Sequence, residues 1–320
     1  MLRFLTFLIF LSFYALDQHA SAKYYSKGKT KLPFYVLVKI PSGTCDSEYL
    51  RTSGVCVASN RACTRLNGTE SGTCAMGYGI CCLVTLNCAT SPEVVKANGT
   101  HLVNPSNLKN QTSCEFQLPR PPGVCQVRLD FNNFNTSLGD QPFVGDCQTD
   151  TFNIVGADNT KYLGPLCGNL TGQHVYLDYG NSNTISLFNY ISQAMGQTWD
   201  IKVTYIKCDS PDKAPPGCLQ YYTDPSGTVK SFNFNGMQQL NNEDYTVCIK
   251  SQPGMTKITW NSCGGLNDFF ITGTGAIAPP PGTDFPPITN PVSGNDCMYD
   301  WVMILGANKY CGNTFDGPVT

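Results

Sequence analysis

Hydrophobic side chains fall into two arrangements along this chain. Residues 4–16 form one uncharged, mostly apolar run, and no later stretch is long and apolar enough to span a bilayer. Beyond it, apolar residues recur with period two, as in Val127/Leu129/Phe131, Phe152/Ile154, Ile201/Val203/Tyr205 and Val302/Ile304. Period two puts every second side chain on one face of a strand, so these segments predict strands with one buried face. Gly 30 and Pro 21 favour turns and short strands over long helices. The pattern predicts a nearly all-β protein.

The leading run sits between Arg3 and the small-residue triplet Ala20-Ser21-Ala22, with Asp17 interrupting it. A positive start, a short apolar stretch and a small-x-small exit describe a secretory signal peptide over residues 1–22. A membrane anchor needs about 20 apolar residues. Residues 23–44 follow as a basic linker with Lys23, Lys27, Lys29, Lys31 and Lys39. The expected address is secreted and extracellular, an oxidising space. Seventeen cysteines among 320 residues agree with it, because reducing compartments keep thiols unpaired. Asn67, Asn98, Asn110, Asn135 and Asn169 each begin an Asn-x-Ser/Thr glycosylation acceptor, whereas Asn104 precedes proline. Charged residues are 14% and the net charge is −2, which leaves no basic footprint for nucleic acid.

Cys45, Cys56, Cys63, Cys74, Cys81 and Cys82 crowd into residues 45–82. So short a piece cannot surround a large apolar core and must be held by crosslinks. Zinc is the competing reading, but it calls for C-x2–4-C pairs, which are absent here. Six cysteines permit 15 pairings. The spacing, the closing Cys81-Cys82 and the stretch Gly72-Thr73-Cys74-Ala75-Met76-Gly77-Tyr78-Gly79-Ile80 resemble the clip module of arthropod secreted proteins. That resemblance implies the pairs Cys45–Cys81, Cys56–Cys74 and Cys63–Cys82.

The remaining cysteines form a repeat. Cys147-Gln-Thr-Asp150 matches Cys297-Met-Tyr-Asp300, and Leu166-Cys167-Gly168-Asn169 matches Tyr310-Cys311-Gly312-Asn313. With Cys88 and Cys114, His174-Val175-Tyr176-Leu177-Asp178 and Trp199-Asp200-Ile201-Lys202-Val203, these residues resemble the CUB domain in its arthropod branch. The resemblance spans residues 83–320: a first copy over 83–208, a linker over 209–217 with Pro211, Pro215 and Pro216, and a second copy over 218–320. It implies two jelly-roll-like antiparallel β-sandwiches behind the small disulfide-rich module. It also implies Cys88–Cys114, Cys147–Cys167, Cys218–Cys248 and Cys297–Cys311. Cys125 and Cys208 flank two alternating strands, which a bridge Cys125–Cys208 would tie. Each bridge is worth about 3–5 kcal/mol in the chain-entropy picture.

Cys263 is the odd cysteine. By analogy with Cys125 its partner belongs near the end of the second copy, so the sequence reads as a C-terminally incomplete fragment; a free or intermolecular Cys263 is the alternative. The prolines between 279 and 291 read as a strand-connecting loop inside the second copy, with a Pro-rich recognition ligand as the other reading.

Catalytic motifs are missing. His101 and His174 have no zinc-ligand spacing, no serine sits in a G-x-S-x-G or G-D-S-G-G context, and prolines follow the glycine-rich 273–278. The expectation is no enzyme. Calcium is the one cofactor that the resemblance allows for, with Asp150 and Asp300 as the matching ligands. No glutamate stands in 140–146, and one carboxylate of three is a poor cage for an ion that takes six to eight oxygens. Asp150 therefore reads as a turn-capping or hydrogen-bonding residue. The expected function is non-catalytic recognition of extracellular proteins or glycans. The alternatives are the regulatory front end of a clip/CUB serine protease zymogen, which sequence past Thr320 would reveal, and a disulfide-assembled matrix component.

Overall fold

The computed structural model describes residues 43–47, 52–140, 145–236 and 238–263, together with 269, 271, 292–293, 300–304 and 309–311. The signal peptide, most of the basic linker, the proline-rich 279–291 and Cys297 lie outside the described residues. The chain divides into two compact units. One holds everything up to Gln220 plus Ser231–Thr246; the other holds Tyr221–Lys230 and Val247–Thr320.

The first unit opens with the cystine-rich module. Strands β1 (Thr44–Asp46), β2 (Ser53–Val57), β3 (Thr69–Cys74) and β4 (Gly79–Leu83) form a sheet in the order β1-β2-β4-β3. Helix α1 (Asn60–Arg65) crosses between β2 and β3, its first turn capped by Ser59 Oγ, which accepts the Ala62 N–H at 3.3 Å. Three bridges replace the missing apolar core: Cys45–Cys81, Cys56–Cys74 and Cys63–Cys82. Only a glycine fits at Gly68, where a Cβ would collide with the Cys82 sulfur.

No linker separates this module from the first sandwich. After β4 a single residue, Val84, leads into β5 (Thr85–Leu86), which pairs in parallel with β7 (Thr100–Val103). The Val84 carbonyl accepts the His101 N–H at 2.9 Å. Val55, Cys63, Cys82, Val84 and Ala97 bury one another at this joint.

The sandwich has two sheets. One runs β10 (Asp150–Val155), β12 (Thr184–Ile191), β8 (Thr112–Pro119), β6 (Glu93–Val94); the other runs β11 (His174–Asp178), β9 (Val124–Asn135), β13 (Thr198–Lys207), β7, β5. Alternation fills the space between them. Cys114, Phe116 and Leu118 of β8 and Ile185, Leu187 and Ile191 of β12 are buried in one core with Val127, Leu129 and Phe131 of β9 and Trp199, Ile201 and Val203 of β13. Phe134 also points into this core, three residues after Phe131, although strict period two would face it outward. A bulge explains it: Ile201 pairs with Phe131 but Asp200 with Asn133, so Asn132 is an extra residue and the strand is rephased. Phe131, Phe134 and Phe152 then meet edge-to-face at 5.3–5.8 Å. Cys88–Cys114, Cys125–Cys208 and Cys147–Cys167 cross-link the sandwich.

In the second unit, β16 (Val292–Ser293), β18 (Lys309–Cys311) and β17 (Val302–Met303) form a three-stranded sheet in the order β16-β18-β17. Where the chain passes from one unit to the other, β14 (Cys218–Tyr222) and β15 (Thr246–Ile249) form a two-stranded sheet, and the Lys250 N–H reaches the Tyr222 carbonyl at 2.8 Å. The buried face expected for Val302/Ile304 differs from what is observed. Val302 and Met303 are exposed and Ile304 is half-buried, because β17 is a two-residue strand at a sheet edge. Cys218, Cys248 and Cys311 are disulfide-bonded, and Cys263 is an exposed free thiol. Among the described residues α1 is the single α-helix, and no helix is long and apolar enough to cross a membrane.

Candidate functional site

One end of the first sandwich gathers its connections around a single carboxylate. Asp150 opens β10, where the pleat turns its side chain inward, and it is fully buried. Its Oδ2 accepts the Ser137 N–H at 2.8 Å and an Nε2 proton of Gln197 at 2.9 Å, while Oδ1 accepts the Ser192 N–H at 3.0 Å. The buried carboxyl is thus met by three donors from two segments, the Ser137 loop and the 192–197 connection, which is what makes such burial tolerable. Gln197 is itself fully used: Nε2 also donates to the Gln193 carbonyl at 2.7 Å, and Oε1 accepts the Met195 N–H at 2.6 Å. The Cys147–Cys167 bridge ties the stretch leading into β10 to a third segment.

Further amides brace the same end. Asn104 Oδ1 accepts the Trp199 N–H at 3.1 Å, and Asn110 Oδ1 accepts the Ala194 N–H at 2.8 Å. Gly168 and Thr136 exchange two bonds, Thr136 N–H to the Gly168 carbonyl at 2.9 Å and Gly168 N–H to Thr136 Oγ1 at 3.0 Å. The result is a braced platform of loops with Met195 at its tip, 80% exposed.

These residues do not fit a calcium ion. Both oxygens of Asp150 already accept bonds from N–H donors, one of them the Gln197 amide. Asp146 accepts the Asn241 Nδ2 proton at 2.7 Å. Among the described residues no three His, Cys, Asp or Glu side chains form a metal-binding group. Asp300, the matching residue of the repeat, is exposed at the start of the segment 300–304.

His101 has partners that the sequence did not suggest. Its Nδ1 lies 2.7 Å from Asp200 Oδ1 and its Nε2 lies 2.8 Å from the Ser53 carbonyl, with Thr52 Oγ1 at 3.4 Å. The order Asp200, His101, Thr52 resembles a nucleophile relay in distance only. Nε2 faces the Ser53 carbonyl, which lies nearer than the threonine hydroxyl, so the ring is not aimed at Thr52 as a base would be. Both nitrogens face acceptors, and the ring fastens the cystine-rich module to the sandwich. His174 is a strand residue whose ring meets Tyr176 edge-to-face at 5.6 Å. Burial raises the Tyr179 and Tyr205 hydroxyls above their ordinary range; they donate to the carbonyls of Leu118 at 3.0 Å and Val95 at 3.2 Å.

The glycosylation acceptors are unequal. Asn67, Asn110 and Asn135 are exposed. Asn98 is half-buried, with Oδ1 accepting the Tyr205 N–H at 2.6 Å, and Asn169 is half-buried beside its bridge partner Asn135.

Residues 215–319 match the family model for the animal CUB domain, so a CUB domain is present in the second half of the chain. Similar solved structures include the second CUB domain of MASP-1 bound to Ca2+, 18% identical, covering 36% of this chain and 99% of that one with a TM-score of 0.28. Another is the CUB1-EGF-CUB2 region of human MASP-1/3, 18% identical, covering 45% of this chain and 57% of that one with a TM-score of 0.29. No curated protein matches.

Proposed function

We propose that the chain is a secreted, non-catalytic binding protein of tandem CUB-type sandwiches behind a clip-like module, which recognises extracellular proteins or glycans. The observation that carries this reading is the Asp150 cluster, a platform of loops pinned by a buried, fully hydrogen-bonded carboxylate and a disulfide. Such bracing holds contact residues in place before binding, which lowers the ordering cost of association. The CUB domain at 215–319 suggests an extracellular protein-binding role in the same direction. Exposed acceptors at Asn67, Asn110 and Asn135 suit glycosylation on the secretory route.

The test uses full-length chain secreted from cells and immobilised against extracellular fluid from its source. We expect specific capture that survives chelation of calcium and is lost when Asp150 is replaced by alanine in a protein that is still secreted. Capture indifferent to Asp150→Ala, or peptidase activity in the purified chain, would overturn the proposal. The exposed free thiol of Cys263 favours one second reading, a matrix component assembled through intermolecular disulfides. Covalent multimers on non-reducing gels that vanish in Cys263→Ser would select it.

A further inference from the structure

The segment Ser231–Thr246 belongs in sequence to the second copy, yet it packs into the first unit. Phe232 and Leu240 are buried in the core of the first sandwich. Asn233 is buried too, in the left-handed region at φ 59°. Its Oδ1 accepts the Asn169 N–H at 2.7 Å, and its own N–H donates to Gln173 Oε1 at 3.3 Å. Gln173 Nε2 returns a bond to the Ser231 carbonyl at 2.7 Å. Gly168 makes this approach feasible, because any Cβ there would collide with Asn233 Oδ1. Further on, the Asn241 N–H donates to the Gly145 carbonyl at 2.9 Å and the Asp244 N–H to the Tyr162 carbonyl at 3.1 Å. The segment therefore covers the flank formed by Leu138, Gly145, Asp146, Gly168 and Asn169, next to the Asp150 cluster.

Within this cover lies one carboxyl with an incomplete shell. Both oxygens of Glu243 are buried without a hydrogen-bond partner of good geometry; Oε1 lies beside Gly164, whose backbone is the one group that favours the ionised form. The titratable and charged groups on the packed elements are Lys161 and Tyr162 on the facing loop, Asp146 beside Gly145, and Asp244 and Tyr245 on the segment itself. None forms an ion pair with Glu243; the Lys161 ammonium stands over the Tyr162 ring at 5.2 Å, Asp146 is held by Asn241, and the Tyr245 hydroxyl accepts the Phe232 N–H at 3.3 Å.

We propose that Ser231–Thr246 is a releasable cover over one flank of the loop cluster, held down while Glu243 is protonated and loosened as pH rises. Ionising a buried carboxyl that lacks a cation is unfavourable, whereas the same carboxyl on a released segment ionises in water. Burial pushes Glu243 up to about 8 in the docked state. The docked state then binds the proton more tightly than the released one, so docking weakens with rising pH between the ordinary carboxylate range and about 8, and is flat above it. Across that window each pH unit costs up to about tenfold in the docking equilibrium.

The experiment is hydrogen exchange of the full-length chain by mass spectrometry from pH 5 to 9, with protection corrected for intrinsic rates. Peptides over 231–246 are compared with peptides from β9. We expect protection of the segment to fall with pH up to about 8, while β9 stays protected. Glu243→Gln, which carries a permanently neutral side chain, is expected to hold the segment down at every pH. Gly168→Ala is expected to leave it unprotected throughout and gives the released level. A segment equally protected at all pH values in the wild type would overturn the proposal. So would Glu243→Gln protein that keeps the wild-type slope, or one that is unprotected at every pH.

Discussion

Residues 147–168 and 297–312 carry the same punctuation, a Cys-x-x-Asp followed by a Cys-Gly, and their described residues lie in different surroundings. In the first, Asp150 is buried beneath three donors and Phe152 two residues on meets Phe131 and Phe134. In the second, Asp300 is exposed, and Val302 and Met303 two and three residues on are exposed as well. The family match nevertheless falls on residues 215–319. Shared punctuation therefore does not by itself bring burial, which in the first sandwich comes from an opposed sheet. Asp150 is a structural hub because the 192–197 connection and the Ser137 loop bring it donors.

The largest effect expected from this contrast lies in the bridges. Replacing Cys125 and Cys208 by serine opens a loop of 83 residues in sequence and is expected to cost about 4–5 kcal/mol, read as a large fall in Tm by calorimetry. Cys263→Ser is expected to leave Tm unchanged, and equal losses for the two would erase the contrast. Next comes the aromatic core. Phe131→Ala is expected to cost about 3–5 kcal/mol in denaturant titration, against less than about 0.5 kcal/mol for Met303→Ala. A smaller effect is expected at the buried aspartate. Asp150→Ala strands two backbone N–H groups and the Gln197 amide and should cost about 2–3 kcal/mol in the same titration. The smallest expected effect is that of calcium chelation on the unfolding of the first sandwich, namely none. A fall in its Tm on adding EDTA, reversed by calcium, would contradict the donor set around Asp150.

Much of the first sandwich is legible in the sequence, for identifiable reasons. Period two in Val127/Leu129/Phe131 and Ile201/Val203 survives folding because these strands lie in the middle of a sheet with one face buried. Six bridges join the same cysteines that the clip and CUB resemblances, and the flanking-strand argument for Cys125 and Cys208, put together. The hydrogen-bonding role read for Asp150 is visible in its three donors, but nothing in the sequence marks Gln197 as one of them. A single glutamine in a connection matches no motif, and its role exists only once β12 and β13, in opposite sheets, fix the passage between them. The extra residue Asn132 is hidden as well, since a bulge is a matter of register between two strands. The docking of Ser231–Thr246 is unreadable for a related reason: Phe232 and Leu240 announce burial without naming the core that receives them.

The one-residue passage from β4 through Val84 into β5 has its own consequence for how this protein can be divided. A protease nick or an engineered start after Leu86 would strip the outermost ribbon from the five-stranded sheet and unseat the acceptors of the His101 backbone and ring. Insertions that lengthen this passage should therefore be poorly tolerated, because they would pull Val84 and Ser53 away from His101.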